Sequence, residues 1–231
     1  MTDPIVQLRE IRFRWPGQTH DLLQIPELRV HQGEHLFIKG PSGSGKTTLL
    51  NLLAGVNVPT VGSVTILGTS LTALSHAGRD RFRADHLGII FQQFNLLPYL
   101  SILENVLLPC GFSARKRQQA GDQRQSALRL LAQLGIPADL LHQSVDKLSV
   151  GQQQRTAVAR ALIGNPEIVI ADEPTSALDS DNRDRFLELL FQETEAQGST
   201  LIFVSHDQHI AAQFTHVVDL LELNTVQGGV A

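Results

Sequence analysis

Short apolar runs, each followed by a segment of helical character, recur along the chain. Leu36–Lys39 precedes Lys46–Ala54, Ile168–Ala171 precedes Asn182–Glu195, and Leu201–Val204 precedes Gln208–Phe214. Strands that are apolar throughout are buried on both faces, and their alternation with helices predicts a mainly parallel α/β sheet. Ile5–Phe13, Leu28–Val30 and Ser63–Leu67 read instead as alternating strands of a smaller, N-terminal antiparallel layer. From about Leu96 to Gly164 only helices are predicted. Ala127, Leu130, Leu131 and Leu134 share one helical face there, and Gly135 followed by Pro137 supplies the stop. The charged stretch Ser113–Gln125 reads as an exposed helix. The expected organisation is a single domain over 1–231, with a core of about 1–92 and 165–231 and a helical subdomain of about 93–164.

Composition narrows the class. The 231 residues are 42% hydrophobic, ample for a buried core, and 18% charged with a net charge of -4. A basic excess of the kind that marks a general nucleic-acid binder is missing, so no nucleic-acid partner is expected. The longest apolar runs are strand-sized, far short of the roughly 20 residues that span a bilayer. Met1–Glu10 mixes charges with apolar residues and lacks the continuous apolar core of a secretion signal, so a cytoplasmic location is expected. Cys110 is the only cysteine, which rules out an internal disulfide and a cysteine-based zinc site.

Between a predicted strand and a predicted helix lies Gly40-Pro41-Ser42-Gly43-Ser44-Gly45-Lys46-Thr47-Thr48, which matches G-x-x-x-x-G-K-[ST]. Glycines let such a loop wrap with its N–H groups pointing inward at phosphate oxygens, and the helix start adds its positive dipole end. Lys46 is expected to reach the β and γ phosphates of ATP, and Thr47 to place its hydroxyl on Mg2+. Thr48 is counted with the nucleotide contacts, and the antiparallel layer is expected to flank the nucleotide. Ile168-Val-Ile-Ala-Asp172-Glu173-Pro174 is a strand ending in two acids, at the carboxyl edge where α/β sheets bind ligands. Asp172 would hold Mg2+ through its water shell, while Glu173 would orient and deprotonate the attacking water.

Leu148-Ser149-Val150-Gly151-Gln152-Gln153-Gln154-Arg155 precedes an apolar-periodic helix, and Ser149 with Gln152 has the spacing of a capping box. On this segment, and over nearly its whole length, the chain resembles the ABC ATPase family. The resemblance implies that Ser149, Gly151 and Gln152 lie at a signature helix start that meets the γ-phosphate held by an opposite subunit. It implies that Trp15 stacks on adenine and that Gln92, in Ile89-Ile-Phe-Gln92-Gln93, contacts Mg2+ and links nucleotide to membrane partner, with Gln93 the competing choice. His206, in Phe203-Val-Ser-His206-Asp207, resembles the switch histidine at the γ-phosphate. Asp179, in Ser176-Ala-Leu-Asp179, resembles the dimer-crossing loop. The fold implied is a P-loop NTPase core with an N-terminal antiparallel layer and an inserted helical subdomain.

Within the family, Gly88-Ile-Ile-Phe-Gln-Gln-Phe-Asn-Leu-Leu-Pro, Glu104-Asn105-Val and the tripled signature glutamine resemble the lipoprotein-releasing and macrolide-exporting subfamily. Three departures stand against that pattern: Val150 in place of the first signature glycine, Ser144-Val-Asp-Lys147 in place of an arginine-proline, and Thr175-Ser-Ala-Leu-Asp179. What the resemblance implies is a transport ATPase that dimerises around two Mg-ATP and works on a transmembrane permease, peripheral on the inner face of the cytoplasmic membrane. Two other readings stay open: a regulatory ABC ATPase with a non-transport membrane partner, and a module that binds without hydrolysing, raised by Val150. Since Ser149, Gly151, Glu173 and His206 are all retained, hydrolysis is expected.

Overall fold

The computed structural model describes residues 3–176, 178 and 180–226. In chain order the elements are β1 (Val6–Phe13), β2 (Leu23–Val30), β3 (His35–Lys39), α1 (Lys46–Leu53), β4 (Val61–Ile66), β5 (Thr69–Ser70), α2 (His76–His86), β6 (Leu87–Ile90), α3 (Ile102–Phe112), α4 (Ala114–Ala120), α5 (Gln123–Gln133), α6 (Val150–Leu162), β7 (Ile168–Asp172), α7 (Ser180–Gln197), β8 (Thr200–Ser205), α8 (Gln208–Ala211), β9 (His216–Asp219) and α9 (Leu220–Leu223). They group into two compact units, one running to Arg83 and resuming at Ile202, the other from Ala84 to Leu201.

The first unit holds the antiparallel layer, in the order β2-β1-β4-β5. Strand β2 begins at Leu23, five residues ahead of the sequence expectation. Pro26 and Glu27 both face solvent and break the period-two pattern, yet pairing with β1 continues on either side, through Ile11↔Ile25 and Arg9↔Glu27. The β1–β4 register slips between Arg9 and Arg12. Glu10 takes a φ of 51° there and Gly62 one of 93°. A Cβ at position 62 would lie 2.4 Å from the carbonyl oxygens of Arg9 and Glu10, so this bulge admits only glycine. The same unit carries the parallel pair β3–β9, with β8 on the other side of β3. Phe37 stacks on Phe203 at 5.8 Å between ring centroids, and Phe214 tilts against both, forming the aromatic centre of this core.

The second unit pairs β6 with β7 in parallel, from Leu87↔Ile168 to Ile90↔Ala171. Helix α3 packs on α4, α5 and α6 around buried Ile102, Val106, Leu130, Leu131 and Val158. The predicted face of Ala127, Leu130, Leu131 and Leu134 is buried throughout. Helix α5 ends as expected at Gly135, whose φ is 68°. Gly135 N–H donates to the Ala132 carbonyl and Ile136 N–H to that of Leu131, a Schellman closure.

The stretch Ser113–Gln125 departs from its reading as one exposed helix. It is two helices broken at Gly121, and Lys116 in the first is buried, its Nζ donating to the Leu87 carbonyl at 2.7 Å. A lysine stem can line a core when its ammonium finds a carbonyl. Helix α8 stops at Ala211, short of the predicted Phe214, and the chain closes there in 3₁₀-type turns from Gln213 to Ile210 and Phe214 to Ala211. Among the described residues no helix is long and apolar enough to cross a membrane.

Candidate functional site

In the first unit, the loop Gly40–Gly45 leaves β3 and turns into α1. Gly43 and Gly45 take φ values of 81° and 98°, which glycine adopts without the strain a side chain would bring. A Cβ at Gly45 would also lie 2.8 Å from a Leu23 methyl, and one at Gly40 would lie 2.7 Å from Ser44 Oγ. The loop is therefore wound too tightly for side chains at its turning points. Lys46 is buried to 8% exposure, with Nζ donating to the Gly40 carbonyl at 2.6 Å and the Pro41 carbonyl at 2.9 Å, so its ammonium is held at the mouth of the loop. Ser44 Oγ is buried and meets no partner among the described residues, a donor left over for a ligand. Pro41, Ser42 and Gly43 are exposed, Thr47 is exposed at the helix start, and Thr48 is buried. The first turn of α1 carries no acidic residue of its own to neutralise its positive dipole end.

Trp15 follows β1 in the same unit, 39% exposed, with its ring perpendicular to buried Phe13 at 5.0 Å. This edge-on packing against Phe13 helps set the angle of an indole that is partly open to solvent. His206 is exposed at the end of β8, the neighbour of β3 in the sheet. Asp207 beside it caps α8 by accepting from His209 N–H.

In the second unit, the β6–β7 pairing sends Gln92 and the two acids off the same sheet edge, because Ile90 lies opposite Ala171 in a parallel register. Gln92 and Gln93 are both exposed, so exposure does not separate them. Asp172 ends β7. Glu173 follows with a φ of 45°, a left-handed conformation unusual for a residue with a side chain and one that gathers at functional sites. The turn is closed by Ser176 N–H donating to the Glu173 carbonyl. Asp179 lies outside the described residues.

Ser149 caps α6 as its spacing predicts. Its Oγ accepts from Gln152 N–H, and Gln152 Oε1 accepts from Ser149 N–H. The Ser149 hydroxyl proton is not used in this box. Gly151 is helical without a positive φ, and a Cβ there would meet nothing within 4 Å.

Sequence reasoning assigned no role to three residues of this unit that hold the candidate groups in place. Gln154 is buried, with Nε2 donating to the Pro174 carbonyl at 2.6 Å, next to Glu173. Arg160, also on α6, is 9% exposed and donates to the carbonyls of Asn95 and Phe94, just past Gln92. Asn105 is fully buried and bonds the backbone of Leu97, Leu100 and Ser101. A signal for the second was present: Arg160 is the lone charge in the run Ala157-Val-Ala-Arg-Ala-Leu-Ile163.

The family model described as ABC transporter matches residues 23–176. The chain is 40% identical over 224 residues to the lipoprotein-releasing system ATP-binding protein LolD of Novosphingobium aromaticivorans, covering 96% of this chain and 98% of LolD. It is 38% identical over 222 residues to the macrolide export ATP-binding/permease protein MacB of Burkholderia pseudomallei. That match covers 95% of this chain and about a third (33%) of MacB. Among solved structures, it is similar to the dimeric post-hydrolysis state of the ATP-binding cassette MJ0796 bound to ADP and Pi. The TM-score is 0.82 at 36% identity, with 93% of each chain covered.

Proposed function

The chain belongs to the ABC transporter ATP-binding family and is an ATPase; on that premise we propose that two copies close around two Mg-ATP to drive a transmembrane permease, exporting or extracting a substrate from the inner membrane. LolD and MacB, named for lipoprotein release and macrolide export, support that direction of work. The chain itself would sit in the cytoplasm, held to the inner membrane face by its permease.

In this reading Gly40–Thr48 cradle the phosphates, Lys46 neutralises them, and Trp15 stacks on adenine. Orphaned Ser44 Oγ supports a phosphate at the loop. Among the described residues no group of three His, Cys, Asp or Glu could hold a metal alone. Mg2+ would then take most of its ligands from phosphate and water, with Thr47, Gln92 and Asp172 completing the set. Glu173 takes the proton of the attacking water, while His206 donates to the γ-phosphate. Asp179 is assigned to the dimer crossing.

The observation that carries the dimer is Gly151. Gly151 is the second residue of α6, and among the described residues nothing calls for a glycine there: its φ is ordinary and the space for a Cβ is open. A group from outside the chain that approaches the backbone closely would account for it, and a partner-held phosphate at the capped start of α6 is such a group. The unused Ser149 hydroxyl proton points to the same ligand chemistry.

Glu173→Gln tests the assembly. The amide keeps the side chain's shape but accepts no proton from water, so ATP binding should survive while turnover falls about 100-fold or more. The variant should run as a dimer on size exclusion with Mg-ATP and as a monomer without it. A monomer at saturating ATP, or turnover at the wild-type rate, would refute the reading. Copurification of the partner then separates transport from regulation: a membrane protein that passes no substrate would mark the chain as a regulatory ATPase.

A further inference from the structure

We propose that Arg160 is a positioning residue for hydrolysis: its guanidinium ties the turn that carries Gln92 to helix α6, so the signature end of that helix and Gln92 move as one piece. The proposal rests on the reading of Gln92 as a contact to Mg-ATP and of Ser149 as the signature cap.

The turn after β6 is built from unfavourable pieces. Phe94 and Asn95 are consecutive non-glycine residues with φ values of 58° and 49°. Left-handed pairs of this kind are costly for residues with a Cβ and persist only where the surroundings over-determine them. Phe94 N–H donates to the Phe91 carbonyl, and Asn95 N–H to that of Gln93 at 2.6 Å, so the chain folds tightly back around Gln92. In doing so it turns two successive carbonyls toward one guanidinium: Arg160 Nη2 reaches Phe94 O at 2.5 Å and Nη1 reaches Asn95 O at 2.6 Å.

A planar fork of two N–H donors fits two adjacent carbonyls, which a single ammonium cannot do. Among the described residues no carboxylate lies within salt-bridge range of Arg160, so its buried charge is compensated by these carbonyls, and burial accordingly lowers its pKa. A neutral core residue would cost less to bury. The charge is explained by what it holds. Two residues past Asn95 begins the stretch Leu97 to Ser101, which Asn105 clamps, so the segment is held at both places while Gln92 and Gln93 stay exposed at its head. Helix α6 also holds the far side of Glu173 through Gln154 and the Pro174 carbonyl. One helix thus fixes the distance between the water-activating turn and the Gln92 turn.

The test uses the full chain, with Mg-ATP as ligand. Arg160→Lys keeps the charge and loses the fork; Arg160→Gln loses the charge as well and avoids leaving an unpaired buried cation. Both should lower kcat by about 10- to 100-fold, the scale for a catalytic group displaced by about an ångström. The Kd for ATP should stay within about twofold, since the phosphate loop is untouched. Hydrogen exchange should speed up at amides 93–97 and stay unchanged at the start of α6. In the Gln92→Ala background either Arg160 variant should cost nothing further, because the lost effect is transmitted through Gln92. Wild-type kcat with unchanged exchange at 93–97 would overturn the proposal, and so would losses that multiply in the double variant. If Gln92→Ala alone turns ATP over at the wild-type rate, the reading of Gln92 falls instead, and the exchange at 93–97 still decides whether Arg160 holds the turn.

Discussion

Asn105 makes four hydrogen bonds from a fully buried position, and Asn105→Ala removes all of them. Their loss is unequal. The Leu97 carbonyl keeps the Leu100 N–H at 3.1 Å, and the Ser101 carbonyl keeps the Asn105 N–H at 3.0 Å. The Leu100 carbonyl keeps its part in the isolated antiparallel bridge between Ser101 and Ser144, so Leu97 N–H alone is orphaned among the described residues. An unsatisfied buried group costs about 1–3 kcal/mol. Leu97 is only half-buried, so water reaches it in part, and the lower half of that range applies. The loss is about 1–2 kcal/mol, which for a chain of this size lowers Tm by about 2–8 °C. Calorimetry of wild type and variant, each with and without ATP, measures it. The nucleotide-induced rise in Tm should be equal in the two, since Asn105 bonds only residues 97–101. A fall in Tm below about 2 °C would show that the loop does not depend on this side chain.

Other substitutions probe separate parts. Trp15→Ala should weaken ATP binding by about 5- to 150-fold if the exposed indole stacks on the base with about 1–3 kcal/mol; unchanged affinity by equilibrium titration would leave Trp15 as a packing partner of Phe13 alone. Val150→Gly should change ATP turnover by no more than about tenfold, because Val150 is an exposed first helical residue and the exchange alters backbone freedom by about 1 kcal/mol; a switch from inactive to active would revive the non-hydrolysing reading. Burial lowers the pKa of Lys116 to about 8 from 10.5. Between those values the unfolded chain binds more protons, so stability rises with pH as the burial penalty present below pH 8 disappears. Lys116→Met should therefore be more stable than wild type at pH 7 by up to about 3 kcal/mol, with the difference shrinking toward pH 10; a pH-independent difference in urea denaturation would refute it.

What was legible in the sequence was what rests on local pattern. The all-apolar strands Ile168–Ala171 and Leu201–Val204, the α5 face with its glycine stop, and the Ser149–Gln152 box all came out where period and spacing put them. Helix α2 was not legible, because it buries none of its residues and so shows no apolar stripe. Strand β9 was missed for a related reason: His216 and Asp219 bracket two valines, a run too short and too polar to stand out. Strand β2 was cut short by Pro26, whose exposed position is visible only once β1 is known to pair on both sides of it. At the candidate site, the backbone of the Gly40–Gly45 loop could be read because its glycines announce the conformations they need. Gln154 could not, since a side chain that bonds a distant carbonyl leaves no spacing rule in the sequence, and for Arg160 the lone charge in an apolar run marked the residue without showing which carbonyls it holds. Lys116 failed similarly, as a charged stretch hides the one member turned inward.

Positions 149, 154 and 160 share one uninterrupted helix, and this has a consequence for how the chain can change length. An insertion of a single residue within α6 would rotate everything beyond it by about 100° and push it about 1.5 Å along the axis. Arg160 or Gln154 would then face away from its carbonyl, whichever end was kept in place. The exposed turn at Gly121, which joins two helices without setting such an angle, can absorb added or lost residues. Length variation in descendants of this chain should therefore collect in that connection, while α6 drifts by substitution alone.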